Sequence, residues 1–226
     1  MKNEIVTKMG RIAIRSWLQL QSLVIWALLV FAVGITGQCS PKERPNLGVD
    51  QLSGFTLDGQ EIKLSNIDAS GVVLNFYSPI CKPCIEELPA LNSFYQQVKE
   101  KGAVMYLAVE SDLEKNGIDD LTSKDQTLIR QKLKERMLQD VARYKIEVPV
   151  LIMNPSFKIE PDQLVGGTPE TLLFRTSPFR LYYNLIGPIS TAQTADDLKR
   201  SSRYVFATAK LEEMKQAVQV ERQSGY

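Results

Sequence analysis

The sequence predicts an α/β domain with a strand–helix–strand unit at its centre, and three stretches carry that prediction. Val72–Tyr77 is a short apolar run of strand type. After a break at Ser78-Pro79, a helix-like segment opens on Cys81-Lys82-Pro83-Cys84 and reaches about Lys101, with Gly102 placed to cap it. Ala103–Val109 is a second apolar run, which this spacing makes a parallel neighbour of the first.

The other elements follow in chain order. Leu23–Thr36 is uninterruptedly apolar, preceded by Lys2, Lys8, Arg11 and Arg15 with Glu4 opposing them. Positive flank, apolar run and polar continuation form the pattern of an export signal or signal-anchor. Extension back through Trp17–Leu20 reaches the roughly 20 residues that a membrane span needs. Residues 1–38 are therefore expected to be the export signal or anchor, 39–48 a tether, and 49–226 a domain outside the cytoplasm. Cys39, followed by the polar Ser40–Pro45, resembles the end of a bacterial lipoprotein signal, but Gln38 stands where a small residue belongs. Lipidation of Cys39, an uncleaved anchor, and cleavage with release are the alternatives.

Gly54–Leu64 alternates around Asp58-Gly59, a hairpin signal. Glu110–Leu121 reads as a loop, and Ser123 with Gln126 forms a capping box for a helix from about Lys124 to Tyr144. Val148–Met153 is a further strand, and Asn154–Gly167 is polar and turn-rich. Thr171–Phe174 and Leu181–Ile186 are strands joined by a turn at Ser177-Pro178. Thr194 or Ala195 opens a long helix to about Glu221, with Leu198, Val205, Leu211, Met214 and Val218 as a loose apolar stripe.

Composition narrows the chemistry. The 27 basic and 26 acidic residues nearly cancel, so nothing calls for a nucleic-acid partner. The absence of histidine removes the usual general base and the commonest metal ligand. Three cysteines, with Cys39 far from the other two, do not make a zinc site, and no metal is expected.

The Cys-x-x-Cys spacing sets two sulfurs one helical turn apart, close enough to bridge. A helix N-terminus lowers the pKa of the outer thiol, and Lys82 adds a nearby positive charge. Cys81 is thus the expected nucleophile, and Cys84 the thiol that resolves a mixed disulfide by attacking the Cys81 sulfur. Glu87 lies one turn beyond Cys84 on the same helical face. A carboxylate taken out of water has a raised pKa and can exchange protons with a thiol near neutrality. The plain alternative, a solvated helix glutamate, is the expected state of Glu86. Pro89 is expected to kink the helix.

The order hairpin, strand, CxxC helix, strand, helix, strand, Thr-Pro, two strands, helix resembles the thioredoxin fold. More closely, it resembles the membrane-tethered TlpA/ResA-type thiol-disulfide oxidoreductases that act outside the bacterial cytoplasmic membrane. Four pieces carry the likeness: Gly54-Phe55-Thr56-Leu57, Val73–Tyr77, Cys81 through Pro89, and Gly167-Thr168-Pro169. The resemblance implies a central mixed sheet flanked by helices and a redox-active Cys81–Cys84 disulfide with no other cofactor. It implies that Glu87 is partly buried beside the cysteines and shares in their proton transfers. It implies that Pro169 is a cis-proline facing them, leaving the Thr168 backbone to pair with an extended substrate. Lys82 and Pro83 belong to the same substrate-facing surface.

The implied partners are exported cysteine-containing proteins, a membrane thiol carrier as electron donor, and the membrane itself through the N-terminus. Reduction is the family's usual direction, often in cytochrome c maturation. Ile80 and Tyr77 stand where the family has tryptophan, which makes the rim of the site less aromatic. Three rival classes fit the residues less well. A peroxiredoxin-like peroxidase needs Pro-x-x-x-Thr-x-x-Cys, and Ser78 occupies the threonine position. A copper-delivery protein of the SCO type needs a CxxxC and a histidine. A non-catalytic thioredoxin-fold binding module would not need the intact Cys-Lys-Pro-Cys.

Overall fold

The computed structural model describes residues 48–119 and 124–224. The expectations placed on Leu23–Thr36, Cys39 and Ser123 lie outside the described residues. A 3-10 turn at Val49–Gln51 leads into the hairpin of β1 (Ser53–Thr56) and β2 (Glu61–Lys63), whose connection places Gly59 at φ 91°. Then come β3 (Val72–Phe76), α1 (Lys82–Glu100), β4 (Val104–Val109), α2 (Gln126–Tyr144) and β5 (Val150–Met153). The chain closes with β6 (Glu170–Thr176), β7 (Phe179–Ile186), α3 (Ala195–Arg200) and α4 (Ser202–Ser224).

The strands form one seven-stranded mixed sheet in the order β2-β1-β5-β4-β3-β6-β7. β3, β4 and β5 run parallel, while β1 and β6 pair antiparallel on either side of them. Gly54 is required where the hairpin meets β5, because a Cβ there would stand 2.6 Å from the Ile152 carbonyl oxygen.

The two crossovers, β3-α1-β4 and β4-α2-β5, step across the sheet in the same direction. Right-handed connections therefore put both helices on one face. That face carries Val73, Met105, Leu107, Ile152 and Leu173, against which Leu91 and Phe94 of α1, Leu133 of α2 and Leu211 of α4 pack. Each such side chain, fully buried, contributes roughly 1.5–3 kcal/mol. The alternating residues Val72, Leu74, Phe76, Leu151 and Phe174 point the other way, as the strand period demands. They are covered by Val49, Leu52, Leu64, Phe157 and Val165. Among the described residues the helices thus flank the sheet on one face, and Asn154–Gly167, broken by prolines at 155 and 161 and glycines at 166 and 167, helps to cover the other without forming a helix.

Two sequence expectations are corrected at helix ends. The N-cap of α2 is Asp125, whose side chain accepts from the Thr127 amide at 2.8 Å, so the cap lies beyond Ser123. The single long helix expected from residue 195 is two helices. Ser201 is extended (φ −72°, ψ 108°), ends α3, and accepts the Tyr204 amide on its hydroxyl at 3.4 Å. The break shifts the helical phase, so the buried stripe of α4 is Tyr204, Ala207, Leu211, Met214 and Val218. Val205, expected inside, is 50% exposed. Among the described residues no helix is long and apolar enough to cross a membrane.

Candidate active site

The ladder of β3 with β4 extends one residue past β3, through the Tyr77 amide bonded to Ala108 O at 2.9 Å. Ser78-Pro79 then turns the chain, and the Cys81 amide closes the turn on Ser78 O at 3.0 Å. Cys81 is the N-cap of α1, with Pro83 in the first turn where no amide donor is needed. Its Sγ accepts the Cys84 N–H at 3.3 Å, so the sulfur sits at the positive end of a 19-residue helix. Cys81 and Cys84 are joined as a disulfide with Cα atoms 5.3 Å apart. Cys81 is half-buried and Cys84 fully buried, which makes the outer sulfur the one a partner can reach.

A cleft of about 520 Å3 opens beside Cys81. Lys82 and Pro83 line one side, Lys115 and Asn116 another, and Gly166, Gly167 and Thr168 a third. The Lys82 side chain is 86% exposed and lies 3.7 Å from Glu86, which is itself solvated. Its help to a Cys81 thiolate is therefore screened by water and shared with that carboxylate. Ile80, at 62% exposure, presents an apolar rim in front of Cys81.

Glu87 is fully buried on the same face of α1 as Cys84. Asn75 donates to its Oε1 at 3.0 Å and the Ile189 amide to its Oε2 at 2.9 Å. Burial pushes the carboxyl up from 4.5 to about 7, against the Asn75 and Ile189 hydrogen bonds and the field of Arg203. Asn75 also donates to Thr171 Oγ1 at 3.0 Å, its direct cross-strand partner on β6. Tyr77, buried next to the turn, donates to Asp140 of α2 at 2.9 Å. Desolvation, then the Asp140 charge and hydrogen bond, raises its pKa, so the phenol stays a donor.

The Thr168–Pro169 peptide is cis, and so is Ser177–Pro178. Pro169 is buried, and Thr168 is half-buried on the cleft wall. Glu170 shapes this loop: its Oε1 accepts the amides of Gly166 and Gly167, each at 3.0 Å, and its Oε2 accepts from Asn184 at 3.0 Å. The glycine pair thus spends its amides on a carboxylate of the same chain. The structure brings Cys81, Lys82, Pro83 and Thr168 to one cleft, leaves Cys84 and Pro169 buried behind its wall, and sets Glu87 on the buried face of the helix that carries the cysteines.

Sequence reasoning assigned no role to Asn75, Glu170 or Ile189. Asn75 had a readable signal, a lone amide inside an apolar strand, and Glu170 stands next to the proline already singled out. Ile189 acts through its backbone and leaves no mark in the sequence. Among the described residues no group of His, Cys, Asp and Glu could hold a metal ion.

Fold and site together define a mixed α/β domain of thioredoxin-like fold with a Cys-x-x-Cys disulfide at the start of its first helix. Residues 44–152 match the AhpC/TSA family model, a match that ends before Pro169. The chain is similar to thiol-disulfide oxidoreductase ResA of Bacillus cereus, 36% identical over 95 residues, or 40% of this chain and 54% of that protein. ResA of Bacillus anthracis matches to the same extent. The chain thus spans about half the length of the curated relatives it matches. Among solved structures, StoA from Bacillus subtilis is 17% identical with a TM-score of 0.43, covering 66% of this chain and 94% of that one. A thiol:disulfide interchange protein from Bacteroides sp. is 16% identical with a TM-score of 0.43, covering 61% of this chain and 78% of that one.

Proposed function

We propose that this protein is a thiol-disulfide oxidoreductase that exchanges disulfides with exported proteins through Cys81 and Cys84. The observation that carries the reading is the asymmetric pair: a reachable sulfur at a helix N-terminus bonded to a fully buried one. In the reducing direction the Cys81 thiolate attacks one sulfur of a substrate disulfide and releases the other as a thiolate. Cys84 then loses its proton, attacks the Cys81 sulfur, and frees the second substrate thiolate. The substrate gains two electrons and the protein keeps the Cys81–Cys84 bond. Glu87, poised near neutrality, is the group suited to take the Cys84 proton and return it when the pair is reduced again.

The similarity to ResA proteins supports this reading. The charged flank and apolar run of residues 1–38 support a domain held on the outer side of the cell membrane, through an uncleaved anchor or as a lipoprotein through Cys39. A membrane thiol carrier would then restore the dithiol, and cytochrome c maturation is one use of such a reductant. A peroxidase is disfavoured by Ser78, whose hydroxyl donates to Lys115 O at 2.6 Å and accepts the Ile80 amide.

The test is capture of the partner. With Cys84→Ala in cells, the mixed disulfide on Cys81 has no resolving thiol and accumulates. Exported proteins held by a reducible bond are expected. An absence of reducible adducts, with the variant present and folded, would overturn the reading.

A further inference from the structure

The loop after β7 touches both halves of the site. The Gly187 amide donates to Pro169 O at 2.9 Å, and the Ile189 amide donates to Glu87 Oε2 at 2.9 Å. The same loop is held from outside by Arg203, whose Nη2 donates to Ile186 O at 2.6 Å and whose Nε donates to Pro188 O at 2.8 Å. A planar guanidinium bonded to two carbonyls two residues apart fixes the peptides between them in a way a single ammonium cannot. Gly187, at φ 81°, supplies the left-handed turn that lets both carbonyls face the arginine.

Arg203 stands in the first turn of α4, which holds no acidic residue. The helix dipole disfavours a cation there. The arginine is exposed, so its place is not explained by packing either.

We propose that Arg203 is a positioning residue that latches the Ile186–Ile189 loop, so that cis-Pro169, next to the cleft-lining Thr168, and the buried Glu87 are held by one rigid link. The proposal rests on the reading of Glu87 as the proton acceptor of the dithiol. The groups around Glu87 are Asn75 from β3 with Thr171 of β6 behind it, the Ile189 amide, and Arg203 as the charged group, with Cys84 one helical turn before it on α1. Loss of Arg203 removes a favourable charge and frees the loop that carries one of the two hydrogen bonds to the carboxylate. Both changes favour the protonated form.

The test compares the full-length protein with Arg203→Met and Arg203→Lys. Three quantities are read: amide exchange at Gly187 and Ile189, the Glu87 carboxyl titration by 13C NMR, and the pH profile of disulfide reduction. In Arg203→Met both amides are expected to exchange about tenfold faster or more, while amides of β3 keep their protection. The Glu87 midpoint is expected to rise by about 0.5 to 1 pH unit, and the pH profile to move with it. Arg203→Lys keeps the charge and loses the fork, so it should recover part of the titration shift and little of the amide protection. Unchanged Ile189 exchange and an unchanged Glu87 midpoint in Arg203→Met would overturn the latch. So would full recovery of both by lysine, which would make the charge alone responsible. If the wild-type protein fails to reduce disulfides while the amide and carboxyl results hold, the latch stands and the proposed function falls.

Discussion

Glu87 is a carboxyl held where water cannot reach it, and its protonation is tied to stability. Its folded value of about 7 lies above the ordinary 4.5, so the folded chain binds this proton more tightly than the unfolded one. The stability linked to it is present below about pH 4.5 and is lost as pH climbs through about 7, beyond which it is flat. A shift of this size corresponds to on the order of 3 kcal/mol across the window. Urea unfolding between those limits is expected to show falling stability with rising pH. Glu87→Gln, which cannot ionise, should flatten that slope. A variant that keeps the wild-type slope would show that another group titrates.

At the scale of elements, one contact ties a helix to the site and another caps a helix away from it. Tyr77 donates to Asp140 and so fastens α2 to the strand that delivers Cys81. In Tyr77→Phe the buried carboxylate loses this donor and keeps Arg136 at 3.7 Å, a cost expected to be about 1–3 kcal/mol. Urea melts measure it, and a loss near zero would mean that Asp140 finds solvent instead. Thr194 caps α3 by accepting the Asp197 amide at 3.2 Å. Thr194→Ala should cost about 1 kcal/mol in the same assay with disulfide exchange unaffected. The Ser201 break was not legible in the sequence, since a serine pair inside helix-forming residues is compatible with a continuous helix. Only the packing of Leu198 and Tyr204 on one core selects the extended Ser201.

On the scale of the whole domain, the described helices gather on one face of the sheet, and the described cover of the other is made of turns. Phe157, stacked on Phe76 with ring centroids 5.0 Å apart, belongs to that thinner cover. Phe157→Ala is expected to cost about 3 kcal/mol, because among the described residues no helix lies behind it to close the cavity. Chemical unfolding checks this, and a cost below about 1 kcal/mol would mean the far face repacks. The strands and the two-thiol helix were legible because each is a local apolar run or a fixed spacing. The rest of the site was not. Asn75 meets Thr171 across the sheet, and Glu87 meets Ile189 from a loop 102 residues away, contacts that exist only once β6 and β7 have paired beside β3.

The central claim is that Cys81 and Cys84 exchange disulfides with other proteins. Reduction of insulin disulfides in the presence of dithiothreitol tests it most directly. The wild-type protein should accelerate the reaction, and Cys81→Ser should bring it down to the uncatalysed rate. Equal acceleration by Cys81→Ser would contradict the account.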